Sequence, residues 1–285
     1  MKEKSELLTF LLANVTRLSK NKIKNSLARK CVLVNGFPIS QFNFLLAPGN
    51  TVEIIRKMEN PLAGNRFITV VYEDSSIIVI DKNVGILSMQ TDHHSFCVKT
   101  LLDDYFKKKH QRCTAHLVHR LDRETSGLMI FAKNTQVQQL LEQNWQKLVE
   151  ERGYVAVVSG RMEQDHGTVQ SWLKDDRHFF TTSSETDNGG KLAITHFRTV
   201  GRSDRYSLVE LSLETGRKNQ IRVHMQDLQH PVVGDYKYGI EGDDPIGRLG
   251  LHAFRLVLTH PVTGKRMTFE TPYPSLFLAP FQDNA

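Results

Sequence analysis

Residues 116–127, HLVHRLDRETSG, place several groups that can do chemistry at the start of an apolar run, GLMIFA. The segment contains two imidazoles and four charged side chains in twelve positions. A carboxylate such as that of Asp122 can act as a nucleophile or as a general base. It could equally cap or turn the chain before a strand, so the segment by itself leaves a catalytic and a structural interpretation open.

Two other functional motifs overlap this segment, and neither is complete. HRLD is similar to the H-R-D loop of protein kinases, but Leu121 alters the spacing and the sequence contains no D-F-G motif and no G-x-G-x-x-G loop. Cys113, His116 and His119 follow at three-residue intervals and could bind zinc, although a structural zinc site needs four ligands and no second cluster is present. We therefore expect no zinc site.

A third motif, Asp92-His93-His94, is similar to part of a metal-dependent phosphoesterase site. Such sites combine carboxylates and histidines from several distant segments. No second motif of this kind accompanies the first, so a phosphoesterase is a remote alternative function.

The elements that must position these groups are mainly strands. Apolar and β-branched runs predict them at FITVVYED, SSIIVIDKN, GLMIFAKN, GYVAVVSG, AITHFRTV, YSLVELSLE, HAFRLVLTH and KRMTFET. Apolar residues at helical spacing predict helices over residues 135–151 and, after Thr215, in GRKNQIRVHMQDL. TTSSETDNGGK, residues 181–191, predicts a mobile loop. Because strands outnumber helices and many follow one another directly, we expect an α+β body with a large mixed, mostly antiparallel sheet.

The first fifth of the chain differs from the rest in charge. Residues 1–57 contain ten Lys or Arg and three Asp or Glu, whereas the remaining residues contain 27 and 28. A short apolar helix, a basic helix and a hairpin at Asn35-Gly36 are predicted there. This asymmetry is typical of a small nucleic-acid-binding domain, although a solvated basic face would have the same composition. We predict a basic α/β domain over residues 1–57, a linker over 58–66 and a larger body over 67–285.

Composition excludes several protein classes. No apolar stretch approaches the roughly 18 residues of a membrane span, and the first residues lack a small-residue cleavage site. Cys31, Cys97 and Cys113 are scattered and form no C-x-x-C pair, which favours reduced core residues over disulfides. We expect a cytoplasmic protein without membrane contact and, since no coiled-coil pattern is present, a monomer.

The longer stretch HRLDRETSGLMIFAKN resembles the signature of the RluA-type pseudouridine synthases. Further segments resemble other motifs of that family in its order: VYEDSSIIVIDKNVGIL, GYVAVVSG, LETGRKNQIRVHMQDLQHPVVGDYKYG and LHAFRLVLTHPVTGK. Together they span residues 67–273. Through LVNG and PG-x-x-VEI, residues 5–56 resemble an RNA-binding domain first known from a ribosomal small-subunit protein, a frequent attachment in this family.

This resemblance implies the isomerisation of uridine in RNA to pseudouridine: the base leaves ribose carbon 1′, rotates and is rejoined through its carbon 5. Asp122 matches the family's catalytic aspartate. Arg222 matches the arginine that pairs with this aspartate and would keep it charged, and Tyr154 matches the tyrosine that packs against the target base. Without the resemblance, each of the three has an ordinary structural explanation as a turn, helix-surface or strand residue.

The resemblance also implies an RNA substrate, from which the uridine must be extruded while basic side chains hold the phosphates. Large-subunit ribosomal RNA is the first expectation and transfer RNA the alternative. The reaction is redox-neutral, so no cofactor and no metal is expected. The side chains expected to bind RNA or to orient the catalytic loop are His119, Arg120, Arg217, Lys218, Lys20, Lys22 and Lys24.

Two positions depart from the family's motifs. Asn219 stands where the third motif commonly has His, and Asn83 stands where the first commonly has Pro. These changes concern packing around the site and the choice of substrate, not the class of reaction. A competing hypothesis is an RNA-binding or ribosome-assembly factor that retains the fold without turnover. The presence of Asp122, Tyr154 and Arg222 together argues against it.

Overall fold

The computed structural model describes residues 5–16, 18–28, 31–35, 37–54, 65–91, 96–178 and 180–282. The chain divides into two compact units, Met1–Ala63 and Gly64–Ala285. The predicted linker falls mostly outside the described residues, as do Asp92, His93 and His94 of the phosphoesterase alternative.

The N-terminal unit combines two helices with short strands. Its elements are β1 Ser5–Glu6, α1 Leu7–Asn14, α2 Lys20–Ala28, β2 Val32–Val34, β3 Phe37–Pro38, β4 Leu45–Leu46 and β5 Val52–Ile54. β2 pairs with β3 as an antiparallel hairpin at the predicted turn, where Asn35 has a φ of 51°. Asn tolerates this left-handed conformation better than most residues.

Helix α2 separates an apolar face from a basic one. Ile23 and Leu27 are buried against Leu7, Leu11 and the strands. Lys20, Lys22 and Lys24 are exposed. The hydrophobic spacing of this short helix therefore leaves the three lysines exposed around the part of its surface that does not face the core.

The second unit is built on one large sheet. Its elements are β6 Ile68–Glu73, β7 Ile77–Lys82, α3 Val98–Lys108, β8 His116–Leu117, β9 Ser126–Ala132, α4 Thr135–Gln143, α5 Trp145–Leu148, β10 Val149–Ser159, β11 His166–Asp175, β12 Thr181–Ser184, β13 Lys191–Arg202, β14 Tyr206–Leu213, α6 Gln220–Asp227, β15 Leu251–Thr259, β16 Arg266–Glu270, α7 Ser275–Leu278 and a 3₁₀ turn Ala279–Phe281. The strand order is β12-β11-β13-β14-β10-β15-β9-β7-β6, with β16 beside β15 and β8 beside β9. Among the strands of the described residues, only β9 and β15 pair in parallel; a single parallel bridge joins Leu87 to Cys97 outside the strands. The α+β class with a mostly antiparallel sheet is thereby confirmed.

The middle of this sheet is buried on both faces. Every residue of β9 is buried, which explains why SGLMIFA is a continuous apolar run and not an alternating one. Leu128 and Ile130 of β9 pack with Val137 and Leu141 of α4 in one hydrophobic cluster. The segment that contains Asp122 therefore leads directly into a strand that is buried along its whole length.

The predicted helix over residues 135–151 is too long. Helix α4 ends at Gln143, and Asn144 separates it from the single turn α5. Val149, which fits the helical spacing, is extended and pairs with Leu258 of β15. The ladder between β10 and β15 thus overrides the local helical pattern, as tertiary contacts often do.

The predicted loop over residues 181–191 is also partly wrong. Thr181–Ser184 forms β12, which pairs with β11 from Asp175 to Trp172. Thr is β-branched and suits an edge strand. The remainder, up to Lys191, turns the chain back towards β13. None of the helices in these described segments is long and apolar enough to cross a membrane.

Candidate active site

Three segments of the second unit converge on a cleft with a volume of about 740 Å³. We call it the Asp122 cleft. Its walls come from residues 118–122, from the α4–α5 junction and from the turn between β14 and α6; Thr125, Arg152, Tyr154 and Leu251 complete them. The volume lies within the range of about 300–1,000 Å³ typical of small-molecule sites, which suits a nucleoside-sized group.

Asp122 lies in the turn that joins β8 to β9, with its side chain 28% exposed. The amide of Thr125 donates to the carbonyl of Asp122 at 3.2 Å, which closes the turn. Gly127 has a φ of 118°, and a Cβ there would lie 2.2 Å from the carbonyl oxygen of Ala253. Only glycine therefore allows β15 to pair in parallel with the first residues of β9, directly behind the aspartate.

The buried side chain of Lys82 forms hydrogen bonds that stabilise this turn. The Nζ of Lys82 donates to the carbonyls of Asn83, Ile86 and Arg123 at 3.0–3.2 Å. Burial lowers its pKa to about 8, although the charges of Glu124 and Asp122 oppose that shift. The lysine thereby ties the turn after β7 to the residue that follows Asp122.

Arg222 reaches the aspartate from α6. Its Nη1 lies 3.5 Å from Oδ2 of Asp122, which is an ion-pair distance. Its stronger partner is Asp235, whose side chain is fully buried and accepts from Nε at 2.6 Å and from Nη2 at 2.7 Å. Burial acts to lower the pKa of Arg222, but the hydrogen bonds and the charge of Asp235 outweigh it and raise the pKa. The guanidinium is thus permanently charged and held in a fixed plane.

Asn219 has a structural part in the same network. It is buried, has a φ of 55° and precedes α6. Its Oδ1 accepts from Nη1 of Arg222 at 2.9 Å, while its Nδ2 donates to the hydroxyl of Tyr238 at 3.1 Å and to that of Thr181 at 3.2 Å. The amide can accept from the arginine and donate to the hydroxyls at once, so the departure from His leaves the packing of Arg222 satisfied.

Tyr154 lies on β10 and lines the cleft with 8% of its surface exposed. Burial raises its pKa, and the negative charge of Asp122 acts in the same direction against the charge of Arg152. The phenol is therefore protonated at neutral pH. It offers the cleft an aromatic face and a neutral hydroxyl.

His119 lines the Asp122 cleft and is held there by contacts with β9 and α5. Its Nε2 accepts a hydrogen bond from the amide of Ile130 at 3.0 Å, and its ring packs on Trp145 with centroids 5.1 Å apart. Burial of the ring, reinforced by Arg152, lowers its pKa to about 3. A neutral His119 orients the loop between β8 and β9 and carries no charge for a phosphate.

The remaining predicted RNA contacts are divided between the two units. Arg120 and Arg217 line the Asp122 cleft, and Nε of Arg217 donates to the carbonyl of Leu192 at 2.9 Å. Lys218 also lines it but forms an ion pair with Asp175 at 2.8 Å, which offsets its charge. The three lysines of α2 belong to the N-terminal unit and are not part of this cleft.

Sequence reasoning missed Arg152, Lys82 and Asp235. Arg152 stands two residues before Tyr154 on the same strand, so the alternation of side chains along β10 places both on the cleft side. That alternation was the available signal for Arg152. The other two residues have no local pattern, because their partners lie in distant segments.

The three residues of the zinc alternative bond to other groups of the protein. The ring of His116 bonds to Thr114 and Gln138, that of His119 to the Ile130 amide, and the thiol of Cys113 to Gln111. Over the described part of the chain, no group of three His, Cys, Asp or Glu residues is arranged to hold a metal ion.

Comparison with known proteins shows which family the chain matches. Residues 76–227 match the family model described as RNA pseudouridylate synthase. An uncharacterized RNA pseudouridine synthase of Bacillus subtilis, YhcT, is 31% identical over 280 residues, which cover 96% of this chain and 92% of that protein. The ribosomal large subunit pseudouridine synthase D of Neisseria meningitidis serogroup B is 33% identical and covers 90% of this chain and 72% of its own.

Solved structures share the fold. Human RNA pseudouridylate synthase domain containing 4 superposes with a TM-score of 0.61 at 23% identity, over 76% of this chain and 92% of that chain. Human RNA pseudouridylate synthase domain containing 1 gives 0.60, also at 23% identity, over 72% and 83%.

Proposed function

Because this chain belongs to the RNA pseudouridylate synthase family and is an RNA pseudouridine synthase of the RluA type, we propose that Asp122 is its catalytic residue and large-subunit ribosomal RNA its substrate. One observation carries the assignment of the site. Asp122, Tyr154 and Arg222 come from three distant segments, and all three line a single cleft.

The chemistry requires one bond to break and one to form. The bond between N1 of uracil and ribose carbon 1′ is broken, and a bond between carbon 5 and carbon 1′ replaces it; carbon 5 loses a proton and N1 gains one. Every atom of the substrate is retained apart from this exchange of protons, so we propose no cofactor and no metal. Asp122 acts on the ribose as nucleophile or as base, and both roles use the ionised oxygen that faces the cleft.

Arg222 and Tyr154 complete the proposed site in different ways. Arg222 presents one Nη1 to Asp122 while Asp235 holds the rest of its guanidinium, so the cation keeps its position as charge develops on the substrate. Tyr154 packs against the base and orients it. As a neutral phenol, it takes part in proton transfer at carbon 5 only by relaying a proton through its hydroxyl.

The choice of ribosomal RNA rests on two supports. Relatives from Neisseria meningitidis, Nitrosomonas europaea and Pasteurella multocida are described as ribosomal large subunit pseudouridine synthase D. The N-terminal unit adds a basic helix with three exposed lysines, as an RNA anchor requires. We further propose that the enzyme works in the cytoplasm as a monomer, in two domains with their boundary near residues 58–66.

The test is a map of pseudouridines in ribosomal and transfer RNA from cells that lack the gene. We expect specific uridines of large-subunit ribosomal RNA to lose the modification and wild type to restore it. Asp122→Asn should restore none, whereas Glu124→Gln, which removes a half-exposed carboxylate two residues away that pairs with Arg123, should restore all. Sites lost only from transfer RNA would replace the substrate assignment.

Rescue by Asp122→Asn has a distinct meaning in the same experiment. If growth or subunit assembly recovers while the pseudouridines stay absent, the protein has an assembly role separate from catalysis. If the pseudouridines themselves return, Asp122 is not the catalytic residue.

A further inference from the structure

We propose that Arg152, seated against Gly216 and beside Arg217, forms a phosphodiester-binding site in the wall of the Asp122 cleft that holds the backbone at the target nucleotide. The inference rests on the proposed function of the cleft. It adds a site that the motifs in the sequence do not assign.

Arg152 is fixed at the point where β14 leaves the sheet. One guanidinium nitrogen, Nη2, donates to the carbonyls of Leu213 and Glu214 at 3.2 and 3.4 Å. The side chain lies on the same face of β10 as Tyr154, and both line the cleft. A phosphate bound here would lie on the same side of the sheet as the tyrosine proposed to receive the base.

Gly216 makes the space in which this guanidinium lies. A Cβ on Gly216 would stand 2.5 Å from Nη1 of Arg152, closer than side-chain carbons approach other atoms. The backbone of Gly216 is not in the left-handed region, in contrast with Gly127. Glycine at this position therefore makes room for the side chain of Arg152; the backbone conformation of the turn does not require it.

The local charge is unbalanced in a way that favours an anion. Arg120, Arg152 and Arg217 line the cleft, and none of them forms an ion pair with a carboxylate of the described residues. Arg161 and Arg205 also lack a carboxylate partner among the described residues, but they are exposed, whereas Arg152 is half-buried in the wall of the cleft.

Two acidic side chains at the rim of the cleft bond to other residues and not to these arginines. Glu214 accepts from His196 at 2.6 Å, and Glu142 accepts from Gln138 at 2.9 Å. Burial lowers the pKa of Arg152; Tyr154 opposes that shift, and the neighbouring charge of Arg217 adds to it. An anion between the two guanidiniums would relieve that repulsion. A phosphodiester offers two oxygens to an arginine fork, and RNA brings one on each side of the target nucleotide.

The experiment compares Arg152→Gln, Arg152→Lys and Gly216→Ala with wild type. The substrate is large-subunit ribosomal RNA transcribed with tritium at carbon 5 of uridine, so isomerisation is read as tritium released to water. We expect Arg152→Gln to raise KM by roughly ten- to a hundredfold, the loss of a charged hydrogen bond, with a smaller change in kcat. Gly216→Ala should also raise KM more than it changes kcat, because the added methyl group displaces the flexible tip of Arg152 and leaves the backbone in place.

Salt dependence separates binding of a phosphate from bracing of the turn. Gln is polar but carries no charge, so it removes the charge that a phosphate contact needs. In Arg152→Gln the slope of log affinity against log salt should fall by about 0.7–0.9, the contribution of one phosphate contact, and Arg152→Lys should keep most of the slope. Arg161→Gln, which removes an exposed arginine outside the cleft, is the matched control and should leave KM and slope unchanged.

Two results would overturn the site, and they differ from failure of the function. An unchanged KM and salt slope in Arg152→Gln, with wild-type tritium release, would exclude phosphate binding. A lowered melting temperature with an unchanged salt slope would make Arg152 a brace of the turn. Failure of the proposed function would appear in wild type itself, as no tritium release from this RNA.

Discussion

Arg222 is shared unequally between two carboxylates. Asp235 takes two of its nitrogens in a close bidentate pair, while Asp122 stands 3.5 Å from the third. Asp235 in turn accepts from the amides of Lys237 and Tyr238 at 2.9 and 3.0 Å, so its own position is set by the backbone. The arrangement leaves the guanidinium charged and immobile, with one edge directed at Asp122.

Replacing Asp235 with Asn should therefore damage activity without removing any group that touches the substrate. An amide in place of one carboxylate oxygen turns an acceptor into a donor that faces the guanidinium, and Arg222 loses its fixed plane. We expect kcat to fall about a hundredfold, as displacements near 1 Å can produce, with a smaller change in KM. Breaking the buried pair should also lower the free energy of unfolding by about 3 kcal/mol or more.

The measurement is tritium release by Asp235→Asn, Asp235→Glu and Asp243→Asn. The Glu variant keeps the charge and should recover part of kcat. The third variant removes a carboxylate that bonds to Tyr206 outside the cleft and should keep wild-type kcat. Equal kcat values in Asp235→Asn and wild type would show that Arg222 needs no such support.

At the scale of elements, the sequence indicates which buried segments form strands, but it is less informative about where helices end and which polar segments pair at an edge. β-branched runs such as IIVI and LMIF correspond to β7 and β9, because buried central strands need continuous apolar side chains. The helix over residues 135–151 was overextended because Val149 satisfies a helical pattern and a strand ladder equally well. β12 was missed because its edge pairing with β11 leaves polar Thr and Ser residues in the strand.

The same limit applies to the site. Asp122, Tyr154 and Arg222 stand in motifs that can be read along the chain, and the structure brings them to one cleft. Arg152 and Asp235 depend on partners 61 and 13 residues away. Lys82 depends on a carbonyl 41 residues away. Contacts of that separation have no periodicity in the sequence, so alternation along β10 could place Arg152 on the cleft side but could not indicate its partners.

Lys82 connects two elements, and its burial has a consequence for stability against pH. Its pKa falls from an ordinary value of 10.5 to about 8 in the folded protein. Between these values the unfolded chain binds more protons than the folded one, so the free energy of unfolding contributed by this residue rises as pH rises. Over the whole interval the contribution is about 3 kcal/mol.

Urea unfolding of wild type and Lys82→Met at pH 8, 9 and 10 would detect this contribution. Other groups titrate in both proteins, so the relevant quantity is the difference between the two slopes against pH and not either stability. We expect the wild-type slope to be more positive. Parallel slopes would mean that Lys82 keeps an ordinary pKa in the folded state.

At the scale of the whole molecule, charge and catalysis are assigned to different units. The residues proposed to act on uridine all belong to the second unit, Gly64–Ala285. Residues 1–57 carry the entire excess of positive charge, since 27 basic and 28 acidic residues nearly cancel in the remainder. A nearly neutral body gains little from long-range attraction to RNA, so the first unit is the natural source of affinity.

This division predicts that affinity and chemistry separate on mutation. In a triple variant, Lys20→Gln, Lys22→Gln and Lys24→Gln, the core residues Ile23 and Leu27 of α2 are untouched and the unit should stay folded. We expect weaker RNA binding, a salt slope smaller by about 2–3 for three lost phosphate contacts, and an unchanged kcat at saturating RNA. A control that replaces the exposed Lys107, Lys191 and Lys265 of the second unit with Gln makes the same change in net charge. If both triple variants lose affinity equally, the effect belongs to net charge. If the α2 variant binds and responds to salt as wild type does, the N-terminal unit is not an RNA anchor.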